Sequence, residues 1–187
     1  MFQANLLKKR LILTVVFLTC LACGTRQSAE SPAAGKYPHY AAELVRVQRD
    51  RIQVDDGDTF SIGRLNIRIL GIDTPEVAHP EHGFLKDQPG GKEAAGYAGE
   101  LLDQAEVIEY LPFQEDGYGR LLAHVFVDGE LFGVKMIEAR LAYETVSFYG
   151  DNGFPELARL IQRAAQRAGQ PPFMEPHKWR QIHRKRN

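Results

Sequence analysis

Carboxylates occur in pairs at two turns of the sequence, each next to a run of strand-forming residues. Asp73 and Glu76 lie three positions apart in ILGIDTPEVAHPEH, residues 69–82. Asp56 and Asp58 flank a glycine in the stretch DDGDT. Aspartates are common in turns for purely conformational reasons, so either pair alone could be an ordinary tight bend. The acids predict a catalytic site only if other residues supply the remaining groups that one reaction needs.

Two arginines could supply that complement. Arg68 stands five positions before Asp73 on the same strand-like run, and Arg120 ends the stretch DGYGR. Each taken singly could be an exposed strand or loop residue. Guanidinium groups, however, hold phosphate bidentately and stabilise the negative charge that grows in its transition state. Arginines and acids together therefore predict chemistry on a phosphate ester.

A hard cation and a water would fit the same set. Ca²⁺ prefers carboxylate and carbonyl oxygens, which Asp58 and Asp73 could provide from neighbouring strand ends. Glu76 then remains to orient or deprotonate a water. An all-oxygen set also admits Mg²⁺ or Mn²⁺. The spacing of Glu76, His79 and His82 suggests zinc, but a proline between the histidines breaks the helical placement, so zinc is disfavoured.

Alternation and helical spacing predict the elements that must position these residues. Residues 44–70 are strand-like with a turn at Gly63-Arg64, and residues 107–127 form a second strand pair around DGYGR. Helical spacing follows in residues 92–105, 134–142 and 155–169. The fold class is α+β, mainly β: a five-stranded OB-fold barrel with about three helices. A split sandwich with helices on one side would produce nearly the same pattern.

Three motifs in order, DGDT, IRILGIDTPE and DGYGRLLAHVFVDG, resemble the staphylococcal nuclease (thermonuclease) family. The resemblance runs through residues 44–169. It implies an OB-fold barrel with helices and a Ca²⁺-dependent phosphodiesterase, and we expect the protein to be a monomer. It also implies that DNA and RNA are the substrates and that the products end in a 3′-phosphate.

The resemblance carries roles onto eight residues, whose expected types are all present in this sequence. They are Arg68, Glu76 and Arg120 for catalysis; Asp58, Asp73 and the backbone carbonyl of Thr74 for the metal; Asp56 for support of the metal ligands; and Tyr118 for a substrate phosphate. The intact set argues against a degenerate copy that only binds. The spacer between Asp58 and Arg68 is shorter than in the founding member. Phe148 and Tyr149 are candidates for stacking on a base, with simple packing as the alternative.

Charge restricts how nucleic acid could be held. Residues 23–174 carry 15 basic and 23 acidic residues, whereas residues 175–187 carry five basic residues and one acid. A nonspecific nucleic-acid coat is usually basic overall, so any phosphate binding must come from local placement. His124 alternates with apolar residues on a strand and is predicted to be structural, and Trp179 in the basic tail is predicted to dock on the domain.

The N-terminal residues resemble an export signal. Lys8, Lys9 and Arg10 precede the apolar residues 11–22, a run shorter than the ~20 residues of a membrane-spanning helix. Residues 1–22 are therefore predicted to be a signal peptide, with cleavage before Cys23. That cysteine would then be the lipid-bearing N-terminus of a lipoprotein, although the preceding residues depart from the usual lipoprotein box.

The remaining chain divides into three predicted segments. Residues 23–40 form a flexible linker, residues 41–172 the nuclease-like domain, and residues 173–187 a basic C-terminal tail. The predicted protein is thus an exported nuclease, a periplasmic or cell-envelope lipoprotein or a secreted protein, whose only link to a membrane is the N-terminal lipid. Two alternatives remain open: a noncatalytic OB-fold module that binds nucleic acid or protein at the cell surface, and a phosphodiesterase for small nucleotides.

Overall fold

A computed structural model describes residues 30–80 and 83–183. The chain divides into two units, Met1–Glu30 and Ser31–Asn187, and the fold below is that of the second. The predicted signal peptide and Cys23 lie outside the described residues, as does His82. Within the described ranges, no helix is both long and apolar enough to cross a bilayer.

One curled sheet and a separate two-stranded antiparallel sheet contain the nine strands of the described chain. Their bounds are β1 (Val45–Val47), β2 (Ile52–Val54), β3 (Thr59–Ile62), β4 (Leu65–Ile69), β5 (Ile72–Asp73), β6 (Ile108–Glu115), β7 (Leu121–Val127), β8 (Glu130–Leu131) and β9 (Tyr143–Glu144). The main sheet has the order β1-β6-β7-β4-β3-β2, with β8 paired to β7, and β5 pairs with β9. All pairs are antiparallel except β4 with β7.

The connection between β1 and β2 makes this sheet curl. The two strands lie at opposite edges of the sheet, yet only a short segment with the 3₁₀ turn Arg49–Arg51 joins them. The edges must therefore approach each other, as in a partly open OB barrel. Counted as one bent strand, β1 and β2 join β3, β4, β6 and β7 to give the five strands that the sequence predicts. The α+β, mainly β fold class is confirmed.

Six α-helices accompany the sheet in the described chain. They are α1 (Pro32–Lys36), α2 (Gly91–Gln104), α3 (Phe132–Glu138), α4 (Val146–Tyr149), α5 (Pro155–Ala168) and α6 (Pro176–His183). The spacing of apolar residues predicts α2, α3 and α5, and Gly169 ends α5 as expected. Because α1, α4 and α6 have only five, four and eight residues, too few to show a helical period, the sequence did not predict them.

The core fills the barrel and the space beneath α3 and α5. Phe60, Ile67 and Phe126 from the sheet, Phe132 from α3 and Ile161 from α5 are all buried. Each such side chain contributes about 1.5–3 kcal/mol relative to an exposed one. This core gives the site a rigid support.

Residues 31–40 differ from the predicted flexible linker. The segment contains α1 and a 3₁₀ turn at Pro38–Tyr40, and the side chains of Ala33, Tyr37 and Tyr40 are buried in the core. The Ala33 amide also donates to Glu109 Oε2 at 3.2 Å. Composition alone predicted a tether because this segment is rich in small and polar residues, but its two tyrosines find apolar partners on the barrel.

Candidate active site

The turn before β3 places Asp58 under the end of β4. Asp58 is fully buried, and its backbone carbonyl accepts a hydrogen bond from Ile69 N at 2.8 Å. Its Oδ2 accepts another from Thr74 N at 2.7 Å. Gly57 permits this close approach, because a Cβ there would lie 2.9 Å from the Cβ atoms of Thr74 and Ala94. Any other residue at position 57 would push the turn away from α2.

Arg68 joins the two aspartates that the sequence selects as metal ligands. Its Nη1 donates to Asp58 Oδ1, and its Nη2 donates to Asp73 Oδ1 at 2.8 Å. One guanidinium spans only a few ångströms between its nitrogens, so both carboxylates lie at one point. The β3–β4 hairpin, which pairs Thr59 with Arg68, and the β5–β9 pair bring them there.

Asp56 lies behind this pair of carboxylates. Its Oδ1 accepts the backbone amide of Asp58 at 3.0 Å, so it holds the turn that carries a candidate ligand. Burial raises the pKa of Asp56, and the nearby Arg68 charge opposes that rise. These contacts suit a residue that supports the metal ligands without binding the ion.

Glu76 is the third carboxylate of the pocket and is also buried. The buried Gln88 holds the backbone of Glu76 in place. Gln88 N donates to Glu76 O at 2.8 Å, and Gln88 Oε1 accepts from Glu76 N at 3.3 Å. Gly91 begins α2 against the same carbonyl, where a Cβ would overlap the Glu76 oxygen. Burial raises the pKa of Glu76, while hydrogen bonding to Arg180 works in the opposite direction.

Arg180 is a second cation in this pocket, and the sequence pattern did not predict it. Its Nη2 donates to Asp73 Oδ2 at 2.9 Å, and its Nη1 to Asp73 Oδ1 at 3.0 Å and to Glu76 Oε1. Burial lowers its pKa, but the bonds to these carboxylates more than compensate and the net pKa is raised. The one available signal was Trp179, a large apolar residue in a basic tail, which marks where the tail docks.

Arg120 and Tyr118 lie apart from the buried acids, on the turn between β6 and β7. The Arg120 side chain binds Asp116 Oδ2 through Nε at 2.8 Å and Nη2 at 2.7 Å. Its guanidinium stands 5.4 Å from the centre of the Tyr118 ring, which is 76 % exposed. The structure therefore brings together four of the five predicted charged residues, Arg68 among them, and leaves Arg120 on its own loop.

Arg120 nevertheless lies on the same face of the sheet as Arg68. Strand β4 runs parallel to β7 with Arg68 beside Leu122, and paired residues of neighbouring strands point to the same side. Arg120 precedes Leu122 by two positions and so shares that side.

The donor set of the pocket suits a hard cation. Asp58 and Asp73 offer buried carboxylates whose charge is balanced in this structure by guanidinium groups. Thr74 follows Asp73, and its buried Oγ1 finds no hydrogen-bond partner among the described residues. No three Asp, Glu, His or Cys side chains of the described ranges form a ready-made metal cluster. Asp58 and Asp73, with the Thr74 carbonyl that the family resemblance adds, stay the predicted ligands.

Other predicted residues are placed as follows. His124 is buried, and burial lowers its pKa to about 3, which agrees with a structural role in the core. Phe148 and Tyr149, the last two residues of α4, are 78 % and 67 % exposed. They are surface aromatics and not core residues. The zinc site that the sequence disfavours is not tested, since His82 lies outside the described residues.

Comparison with known proteins identifies a family and several similar nucleases. The family described as staphylococcal nuclease homologue matches residues 66–170. A thermonuclease of Staphylococcus hyicus is 35 % identical over 122 residues, 62 % of this chain and 69 % of that protein. A thermonuclease of Staphylococcus intermedius is 34 % identical over 123 residues, 63 % of this chain and 68 % of that protein.

A third relative covers more of the sequence. The endonuclease YncB of Bacillus subtilis is 29 % identical over 162 residues, 76 % of this chain and 74 % of that protein. The family match covers more than half of the chain, and its residues carry Arg68, Asp73, Glu76 and Arg120. The chain belongs to the staphylococcal nuclease family.

Proposed function

We propose that this chain is an exported, Ca²⁺-dependent nuclease that hydrolyses phosphodiester bonds of DNA and RNA and leaves 3′-phosphates. Membership of the family, with relatives named thermonuclease and endonuclease, makes it a hydrolytic nuclease. The observation that carries the finer proposal is the buried pocket in which Arg68 bridges Asp58 and Asp73 beside Glu76. Structural acids do not usually need such burial, whereas a site for a cation and a phosphate does.

Asp58, Asp73 and the carbonyl of Thr74 would hold the ion. Ca²⁺ suits this proposal because few protein oxygens make a weak site, and calcium outside the cytosol reaches about 10⁻³ M. When bound, the ion would supply positive charge for the oxygens of the scissile phosphate. Asp56 would hold the Asp58 turn in place through the hydrogen bond described above.

The side chains of the chain supply the remaining steps. Arg68 and Arg120 would bind the phosphate oxygens and stabilise their growing charge. Glu76 would orient a water for in-line attack on phosphorus and accept its proton. Burial favours that role because the raised pKa of Glu76 moves its basicity toward the working pH. Tyr118 would contact a neighbouring phosphate, and the exposed Phe148 and Tyr149 offer faces for bases.

An assay of the full chain tests this proposal. Single-stranded DNA, double-stranded DNA, RNA and dinucleotides would be incubated with Ca²⁺ or with chelator, and product ends would be checked for 3′-phosphate. We expect cleavage of the polymers with Ca²⁺ only, and a loss of ~10²–10³ in rate for Glu76→Gln. Glu93→Gln is the matched control, because Glu93 is an exposed acid on α2.

Three results would contradict parts of the proposal. Cleavage that persists with chelator would show that the reaction needs no divalent ion. Near-normal turnover of Glu76→Gln would show that Glu76 has no role in the mechanism. Binding of nucleic acid without cleavage would support the noncatalytic OB-fold module instead. Cleavage of dinucleotides but not polymers would support a small-nucleotide phosphodiesterase.

Export rests on the N-terminal residues and needs its own test. Residues 1–22 have the basic, apolar and small-residue order of a signal peptide, and Cys23 follows them. Metabolic labelling with a fatty acid should tag the wild-type protein and not Cys23→Ser. Release of the variant from the membrane fraction would support a lipid anchor; an unlabelled wild type found outside the cell would indicate secretion.

A further inference from the structure

The C-terminal helix closes the candidate active site with a residue that the reaction described above does not use. Arg180 on α6 binds both oxygens of Asp73 and one oxygen of Glu76, residues more than 100 positions away in the sequence. The side chain of Arg180 is 28 % exposed, so its guanidinium lies at the mouth of the pocket. Arg68 occupies the inner side of the same Asp73 carboxylate.

This contact depends on a built docking site and not on a loose tail. The segment before α6 is fastened by two hydrogen bonds: Gln88 Nε2 donates to Met174 O at 2.6 Å, and Tyr143 Oη donates to Phe173 O at 2.7 Å. Within α6, the buried Trp179 lies 6.1 Å, between ring centres, from Phe84. Trp179, the neighbour of Arg180 in the sequence, is therefore fixed against the domain. This docking holds α6 in the position from which the Arg180 side chain reaches the acids.

Arg180 occupies the atoms that a cation would need. Asp73 has two oxygens, and in this structure both accept from Arg180 while one also accepts from Arg68. A divalent ion that took Asp73 as a ligand would compete for these lone pairs and would lie near the positive guanidinium. Like charges in a partly desolvated pocket repel strongly. Ion binding and the Arg180 contact thus oppose each other.

We propose that Arg180 sets the divalent-ion affinity of the active site, as a tethered cation that competes with the ion for the carboxylate of Asp73. This inference rests on the proposed metal function of Asp58 and Asp73. By thermodynamic linkage the effect is reciprocal: if Arg180 weakens ion binding, then the ion weakens the docking of Arg180 by the same factor. The C-terminal helix thereby determines the concentration of Ca²⁺ at which the enzyme is loaded.

Calorimetric titration of the full-length protein with Ca²⁺, without substrate, tests the proposal. Arg180→Gln should bind Ca²⁺ about tenfold more tightly than wild type, within the usual range of coupling between sites. Lys178→Gln is the matched control, because Lys178 is a cation on the same helix that pairs with Glu175 at 2.9 Å; it should bind as wild type does. Asp73→Asn should lose most of the affinity.

Hydrogen exchange gives a second readout that does not depend on activity. Saturating Ca²⁺ should speed the exchange of the α6 amides in wild type and leave their exchange rates unchanged in Arg180→Gln. Circular dichroism and thermal unfolding without Ca²⁺ would establish that each variant folds.

The outcomes separate this inference from the proposed function. Equal or weaker Ca²⁺ affinity in Arg180→Gln, with Asp73→Asn still impaired, would overturn the competition and leave the metal site standing. If wild type and Arg180→Gln both failed to bind millimolar Ca²⁺, the proposed metal site would fall and the competition with it.

Discussion

Two regions of this protein present charged residues to the same face of the barrel, and they are held very differently. In the pocket, Asp58 and Asp73 are buried, Arg68 is half-buried between them, and the three come from separate turns and strands. On the β6–β7 turn, Arg120 pairs with Asp116 only four positions away, and its side chain is 31 % exposed. Buried ion pairs are costly to break, whereas exposed local pairs contribute about 0–1 kcal/mol.

The difference indicates a division of work. The pocket is assembled before any ligand arrives, as preorganised electrostatic stabilisation requires. The Arg120 loop is held only by local bonds, so its guanidinium can leave Asp116 for a phosphate at little cost. If this comparison holds, then substitutions in the two regions should affect activity alike but stability differently.

The largest effect is expected for Arg68→Ala. Removal of this guanidinium leaves the fully buried Asp58 without its cation, which should lower the free energy of unfolding by about 3–5 kcal/mol. Denaturant unfolding followed by circular dichroism measures the change. Arg64→Ala, at the exposed turn before β4, should alter stability by less than about 0.5 kcal/mol. Equal stability of Arg68→Ala and wild type would mean that the pocket is not preorganised.

Arg120→Ala should separate activity from stability. We expect the nuclease rate to fall by ~10²–10³, since a donor to the transition state is lost. The free energy of unfolding should change by no more than about 1 kcal/mol, because the pair with Asp116 is local and partly exposed. Kinetics and unfolding of the same preparation measure both. Normal turnover would show that Arg120 stays on Asp116 during catalysis.

Gln88→Ala tests whether long-range contacts position Glu76. The substitution removes one partner each from Glu76 N and Met174 O, so stability should fall by about 1–3 kcal/mol. The rate should fall as well, while the charge of every catalytic residue is kept. Gln104→Ala, at the end of α2, serves as the control. A stable variant with full activity would indicate that Gly91 and the α2 contact suffice to hold Glu76.

His124 tests the barrel wall that supports both regions, and its effect should be the smallest at neutral pH. His124 is neutral in the fold, where burial lowers its pKa to about 3, but has an ordinary pKa near 6.5 when unfolded. The unfolded state therefore binds the extra proton between these values, and stability is lost as pH falls below about 6.5. The loss should reach about 1.4 kcal/mol per pH unit.

The variant His124→Leu should remove this contribution. Its free energy of unfolding, measured by denaturant titration at several pH values from 7 to 4, should fall less steeply than that of wild type. Parallel curves for the two proteins would show that His124 is protonated in the fold as easily as in the unfolded chain.

Local pattern was enough for much of the fold. Alternation predicted the β3–β4 and β6–β7 hairpins, and helical spacing predicted α2 and α5 with their ends. These elements are long enough to carry a period, and their turns contain glycine. The placement of β1 and β2 at opposite edges of the sheet could not be predicted in the same way, because alternation indicates a strand but not its neighbours.

The candidate site likewise contains residues that local pattern predicted and residues that it missed. The residue types and spacing of Asp58, Arg68, Asp73 and Glu76 were enough to indicate a phosphate chemistry, because each sits at the end of a predictable strand or turn. Gln88 was missed because a buried amide has no periodic signal. The linker prediction was wrong for residues 31–40, since composition does not show which tyrosines find a place on the barrel.

By itself, then, the sequence determined the strand and helix periods, the residue types of a phosphate site and the acidic charge of the domain. Only the tertiary structure decided which charges meet: it placed Arg180 on Asp73 across 107 positions and kept Arg120 on its neighbour Asp116. Local periodicity depends on residues a few positions apart, so it can be read along the chain. Convergence of charges depends on how distant elements pack on one core, and the packing of the whole domain decides it.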